Sequence, residues 1–258
     1  MGQRWWLPIV FTASLVVLWE VLVNTTGVSS VILPAPSKVL VVMIEKAPLF
    51  LLHSLTTALE VIIGFAFAVL FGAALGVLIA ISPPVSAAIY PAIIAAQVMP
   101  KVAIAPLLII WLGFGLGPTI ALTALIAFFP IVINTVVGMN MTRRESYYLF
   151  RSLGANGWQT FWKLRVPTAL PAFFGGLKVA STLAVIGAVV GEFMGANAGL
   201  GYILTVQIGT AATTEAFAAI LYLTVLGLLF FLLVVLVEWM VIPKHMLSRL
   251  AGMSARMS

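Results

Sequence analysis

The chain alternates between six long apolar runs and short polar breaks. Each run is continuous in its apolar character, so it reads as helix and not as the alternating strand of a membrane barrel. Each also approaches the roughly 20 residues that a helix needs to cross a hydrocarbon core. The first run covers residues 5–23, after Arg4. Asn24-Thr25-Thr26 follows where a signal peptide would present small residues for cleavage, so an uncleaved first span is expected. Residues 24–54 are mixed, and one short surface helix is expected over 37–46 with Ser37 as its cap. The second run, 55–81, carries Gly64, Gly72 and Gly76, and the last two are spaced to admit a close helix neighbour. The third, 85–112, contains Pro91, Pro100 and Pro106 and predicts a kinked or broken span. The fourth, fifth and sixth runs cover 119–138, 172–194 and 216–242, and Pro243 closes the last. Between the fifth and sixth lies a Gly- and Thr-rich stretch with one apolar segment, 202–208.

Composition fixes the class. Hydrophobic residues make up 63% of the 258 positions and charged residues 8%, with a mean hydropathy of +1.21. A soluble domain is roughly one-quarter charged, so this chain has no polar skin to cover a soluble globule and is too apolar to be disordered. The reading is an all-α membrane protein with six transmembrane helices. The organisation that follows is a first helix and outer loop over 1–54, a core over 55–243, and a tail over 244–258. The chain has no Cys, no Asp and two His, which argues against disulfides, thiolate chemistry, a metal site or a Ser-His-Asp triad.

The net charge of +6 belongs to topology rather than to nucleic acid. With six spans both ends share a side, and that side collects Arg4, Arg143, Arg144, Arg151, Lys163, Arg165, Lys244, Arg249 and Arg256. The other side holds Lys38 and Lys46. Nine basic residues against two place both termini and the 140–171 loop in the cytoplasm.

That loop is the longest polar stretch in the chain, yet it is rich in aromatic residues. It reads as one short helix over 145–153, a turn at Gly154-Ala155-Asn156, and a second helix over 157–164 that Pro167 ends. Trp158, Phe161 and Trp162 fall on one face at i, i+3 and i+4. Such a face can insert into the membrane interface, or into a groove on a partner protein, where aromatic anchors dominate binding.

Arg151-Ser152-Leu153-Gly154-Ala155, Trp158, Lys163-Leu164-Arg165-Val166-Pro167 and Ala169-Leu170-Pro171 resemble the signature loop of ABC importer permeases. That pattern is Glu-Ala-Ala, three residues, Gly, nine residues, Ile, one residue, Leu-Pro. Gly154 takes the place of the Gly, Leu164 of the Ile, and Val166-Pro167 of the Leu-Pro. Tyr148-Leu149-Phe150 stand where the family has Glu-Ala-Ala, a departure that removes the Glu. Leu33-Pro34-Ala35-Pro36-Ser37, Met99-Pro100-Lys101 through Pro106-Leu107, Trp111-Leu112-Gly113, Gly191-Glu192-Phe193 and Gly199-Leu200-Gly201-Tyr202 are similar to permeases for nitrate, sulfonate, taurine and bicarbonate.

The resemblance implies a type I importer permease of MetI-like fold in a bacterial inner membrane. Two copies would form the pathway for a small anionic solute delivered by a periplasmic or lipid-anchored solute-binding protein. An ABC ATPase dimer would grip the 145–167 loops and bind ATP and Mg. This chain would bind no cofactor and catalyse no reaction; it carries no G-x-x-x-x-G-K-[ST] phosphate loop. Tyr148, Arg151, Gly154, Ala155, Trp158, Phe161, Trp162, Leu164 and Pro167 would be the coupling residues. Met99, Lys101 and Glu192 are candidates for the solute pathway.

Lys101 lies mid-span, where an isolated charge is costly. It is either a pathway cation or half of a structural pair with Glu60 or Glu192. Met99, Trp111 and Phe114 either gate the pore or pack between helices. His53, Glu20 and Glu238 sit near span ends and read as interface residues. An ion-coupled secondary transporter or channel is the alternative; it would show an inverted repeat and more paired intramembrane charges. A non-transporting scaffold would leave the proline-broken third span unexplained.

Overall fold

Inside lipid a backbone N–H or C=O finds no water, so an apolar run must satisfy its own hydrogen bonds, and helix is the open-chain solution. The computed structural model describes residues 6–242, and every regular element among them is helical. The elements are α1 (Trp6–Thr26), α2 (Pro36–Glu45), α3 (Ala47–Ile81), α4 (Pro83–Val98), a 3-10 turn (Lys101–Ile104) and α5 (Ala105–Leu112). Then come α6 (Leu116–Asn140), α7 (Arg144–Ser152), α8 (Gly157–Thr160), a π-turn (Phe161–Arg165), α9 (Val166–Gly195), α10 (Leu200–Gly209) and α11 (Thr213–Val241). Five helical runs are long and apolar enough to span a membrane, and the bent pair made of α4 and the segment 101–112 brings the number to six. Arg4, Pro243, Lys244, Arg249 and Arg256, with the tail over 244–258, lie outside the described residues.

The core is a three-helix block of α3, α6 and α9, built on small residues because apolar area alone does not drive helices together in lipid. Along the α3–α6 seam, a Cβ on Gly64 would sit 2.6 Å from Thr123 Cβ, one on Gly72 3.1 Å from Ile131 Cβ, and one on Gly76 2.6 Å from Thr135 Cβ. Along the α6–α9 seam, Gly187 would meet the Thr123 backbone at 2.9 Å and Gly191 the Thr119 backbone at 2.8 Å. Leu122, Ile131 and Val132 of α6 and Ala180, Ala184 and Ala188 of α9 are fully buried. Hydroxyls inside the spans bond their own helix: Thr123 donates to Thr119 O at 2.8 Å and Thr135 to Ile131 O at 2.6 Å.

Five local expectations are corrected. Ser37 does not cap α2; Ala35 is the N-cap, Pro36 occupies the first turn, and Ser37 lies inside the helix. Its amide and hydroxyl donate to the Glu20 carboxylate at 3.0 and 2.8 Å, so Glu20 serves α2 rather than the interface. The helix of the second span starts at Ala47 and runs unbroken across the expected 54/55 boundary, with Pro48 tolerated in its first turn. Pro167 does not end the second loop helix. A π-turn, in which Val166 N–H reaches back to Phe161 O, lets the chain run on, and Gly157–Gly195 is one 39-residue span. Glu238 is not a simple interface anchor; Lys178 of α9, which the sequence reading did not single out, pairs with it at 2.9 Å.

The third span breaks as expected, and at one proline. Pro91 lies inside α4, and Pro106 sits in the first turn of α5, where its missing N–H is not needed. At Met99-Pro100 the residue before proline is forced extended, and the axes on either side differ by 89°.

Gly64→Val is expected to overpack the α3–α6 seam by about 1–3 kcal/mol, read as a lower melting temperature of the purified chain in detergent; an unchanged melt would show that the seam yields. Lys178→Met strands the Glu238 carboxylate at a site between exposed and buried, and should cost on the order of 2 kcal/mol. The double variant Lys178→Met/Glu238→Leu should recover most of that stability, whereas a double variant as weak as the single would refute the pairing.

Candidate functional site

At the end of the block formed by the C-terminus of α6 and the N-terminus of α8, the chain builds a projecting ledge. α7 stops in a Schellman motif: Ala155 N–H bonds Phe150 O and Gly154 N–H bonds Arg151 O, both at 3.0 Å. Gly154 takes φ +78°, a conformation that costs a side chain. Asn156 then caps α8 with a reciprocal box, accepting from Gln159 N–H at 2.8 Å while its own N–H donates to Gln159 Oε1 at 3.1 Å. The turn is therefore hydrogen-bonded on both sides.

The aromatic residues of the ledge cluster as their spacing predicts. Trp158 lies 5.6 Å from Trp162 and 6.2 Å from Phe161, centroid to centroid, and Phe161 lies 5.3 Å from Trp162. Trp158 is 70% exposed and Trp162 51%, while Phe161 and Leu164 are half-buried beneath them. Tyr148 and Leu149 of α7 and Leu153 just after it are also exposed, as are Arg151 and Gly154; Ala155 and Pro167 are half-buried. Exposed, clustered aromatic groups of this kind have the composition of a docking surface.

A second feature lies at the break in the third span. Lys101 opens the 3-10 turn, donates from Nζ to Gln97 O at 2.6 Å, and holds its ammonium 4.7 Å from the centre of the Phe129 ring. It borders a groove of about 460 Å³ whose other polar side chains are Gln97 and Asn134. Among the described residues no carboxylate is within ion-pair distance of Lys101, so neither Glu60 nor Glu192 is its partner. Met99 is exposed beside the break, and Trp111 and Phe114 are exposed rather than packed within the chain.

Glu192, grouped with Lys101 in the sequence reading, stands apart from this groove. It is 1% exposed, and its carboxylate is occupied at the N-terminus of α10. Thr57 Oγ1 donates to Glu192 Oε1 at 2.6 Å and accepts Leu200 N–H at 2.8 Å, while Gly201 N–H donates to Glu192 Oε2. His53 is not a free interface residue either: its Nδ1 accepts Gly199 N–H at 3.0 Å. Glu60, wholly buried, lies against Glu192. Sequence reading missed this junction. The signal available was Thr57-x-x-Glu60 on one helix face, together with Gly191-Glu192 ahead of Gly199-Leu200-Gly201.

Comparison with known proteins agrees with this geometry. Residues 68–241 match the family of binding-protein-dependent transport system inner membrane components. The formylaminopyrimidine transport permease protein ThiX of Halalkalibacterium halodurans is 36% identical over 237 residues, covering 92% of this chain and 94% of that one. The riboflavin transport system permease protein RibX of Chloroflexus aurantiacus is 38% identical over 226 residues, covering 87% and 84%. In fold, the inward-facing MetNI methionine ABC transporter superposes with a TM-score of 0.66 at 18% identity, over 75% of this chain and 96% of that one. The α3–α6–α9 block, the broken third span and the ledge between the fourth and fifth spans are thus those of a type I ABC importer permease, and the chain belongs to the binding-protein-dependent transport system inner membrane component family.

Proposed function

We propose that two copies of this chain form the translocation pathway of an importer for a small anionic solute of the sulfonate, nitrate, taurine or bicarbonate kind. An ABC ATPase dimer that binds ATP and Mg docks on the α7–α8 ledges, and a periplasmic or lipid-anchored solute-binding protein delivers the solute at the α10 end. The charge count supports a cytoplasmic ledge and cytoplasmic termini.

The carrying observation is the continuity of the ledge with the core. Trp158 and Trp162 belong to the same 39-residue helical run whose α9 part packs along α6. A push on the aromatic face is therefore a push on α9, with no flexible linker to absorb it. Tyr148, Arg151, Gly154, Ala155, Trp158, Phe161, Trp162, Leu164 and Pro167 make or support that contact. The Glu absent at Tyr148 is replaced by exposed aromatic and apolar surface from α7. Met99 and Lys101 belong to the solute pathway. An ammonium and two amides cannot face lipid without penalty, so the Lys101 groove fits a watered path where an anion can be met. Glu192, the third candidate, supports the pathway by holding the N-terminus of α10 through Thr57 and Gly201.

Purification of the tagged chain from its native membrane should bring an ATPase subunit in equal amount; recovery of the chain alone with transport retained in ATP-free vesicles would sink the reading. Gly154→Val places a β-branched side chain at φ +78°, a strain of about 1–3 kcal/mol. It should leave membrane insertion intact and abolish solute-stimulated ATP hydrolysis; normal transport would refute coupling at this turn. Lys101→Met should raise the transport KM by about tenfold, the loss of one charge-assisted hydrogen bond, with ATPase assembly unchanged. An unaltered KM would remove Lys101 from the pathway.

A further inference from the structure

The Glu60–Glu192 junction is the one place among the described residues where two fully enclosed carboxyl groups face each other. An ionised carboxylate is an acceptor only. Glu192 uses that capacity in full view: Thr57 Oγ1 donates to one oxygen, and the Gly201 and Tyr202 amides serve the other side of the group. Glu60 is the reverse case. Among the described residues neither of its oxygens receives a hydrogen bond from a donor, although the side chain is 0% exposed.

Among the described residues no cation pairs with either carboxyl group. Lys46 is paired with Glu215 at 3.0 Å, Lys178 with Glu238 at 2.9 Å, and Lys101 is held at Gln97 and Phe129. His53 presents Nδ1 as an acceptor to Gly199, so that nitrogen carries no proton to give. Two charged carboxylates in contact inside a low-dielectric core repel strongly, whereas a single proton turns the contact into a short, charge-assisted O–H···O bond.

We propose that Glu60 and Glu192 are a proton-binding site: Glu60 carries one proton, donates it as a hydrogen bond to Glu192, and so completes the junction that fixes the N-terminus of α10 to α3. The seat is shaped for a proton rather than a metal ion. A Cβ at Gly201 would lie 2.7 Å from Glu192 Oε2, and one at Gly199 would overlap the same carboxyl group, so the backbone of 199–201 closes over the Glu192 carboxyl group. Among the described residues no cluster of three acidic or imidazole ligands surrounds it. Glu60 is a positioning residue in this arrangement: it acts on α10 through Glu192. The site stands on this chain's own side chains and is independent of the solute and of the ATPase.

The test uses the full chain, purified and reconstituted in lipid nanodiscs, with two readouts. Infrared spectra of the wild type should contain a protonated-carboxyl C=O band that Glu60→Gln removes. Hydrogen exchange at the Gly201 and Tyr202 amides should stay within about twofold of wild type in Glu60→Gln, whose amide N–H donates in the same place, and rise by about tenfold or more in Glu192→Leu, which offers those donors no acceptor. Glu60→Ala should open α10 as well, and the Gln variant keeps the test decisive if the Ala variant does not fold. A wild-type spectrum lacking the band would overturn the proposal. So would a band that sodium or potassium chloride titrates away, which would make the pair a cation site. Equal opening of α10 in Glu60→Gln and Glu60→Ala would show that no donated hydrogen bond is needed.

Discussion

Every other feature of this chain depends on how closely α6 can approach α3 and α9. Water drives apolar helices together, but lipid does not, so the association must come from direct contact and from polar groups satisfied inside the protein. Glycine placed on the neighbouring helices opposite Thr119, Thr123, Ile131 and Thr135 lets the backbones meet at distances that a Cβ would forbid. The threonines do not bridge the helices; Thr123 and Thr135 bond their own preceding turns, so the seam is one of shape. A seam of shape tolerates little sliding, because each Thr seated on a Gly would have to climb over the next bulky residue. The block is therefore expected to move as one body.

Around that body the polar groups do separate jobs at its two ends. At one end, α2, α10 and the start of α11 are fastened by directed contacts: Glu20 to Ser37, Lys46 to Glu215, Tyr222 Oη to Met43 O at 3.0 Å, and the Thr57–Glu192–Gly201 junction. At the other end, α7 and α8 are fastened chiefly to each other through the Schellman turn and the Asn156 box, which leaves their aromatic faces free. One end is closed on itself and the other is presented outward, as a subunit needs if a separate partner is to grip it.

The sequence carried the number of spans, the aromatic face and the turn, because each rests on local chemistry. Continuous apolar runs specify helix in lipid, Gly154 specifies a left-handed turn, and Asn156 specifies a cap. What it did not carry was set by distant partners. Ser37 has the chemistry of a cap, but Glu20, 17 residues earlier, reaches its amide first. Pro167 has the chemistry of a helix stop, but a π-turn carries the helix past it and tertiary packing keeps α9 continuous. Glu192 and Glu238 looked alike as charges near span ends. One caps α10 from across the fold and the other pairs with Lys178, and neither relation has a sequence period to reveal it.

The break at Met99-Pro100 gains its meaning from the stiffness of everything else. A load applied to Trp158 and Trp162 passes along a continuous helix into α9, and from α9 into α6 and α3 through contacts that cannot slip. Such a block transmits displacement without changing its own shape, so on the proposed reading the change of shape that opens or closes the path falls where a span is discontinuous. The third span is the discontinuous one, bent by 89° with its backbone freed at Pro100. Lys101 is the first residue after that break, and its ammonium rests on Phe129 and the Gln97 carbonyl rather than in an ion pair. Those two contacts are individually weak compared with a buried salt bridge, so a shift of α4 against α6 can release the cation into the groove at little cost. On the proposed reading, the hinge and the group that meets the solute are therefore neighbours in sequence because a single movement has to serve both.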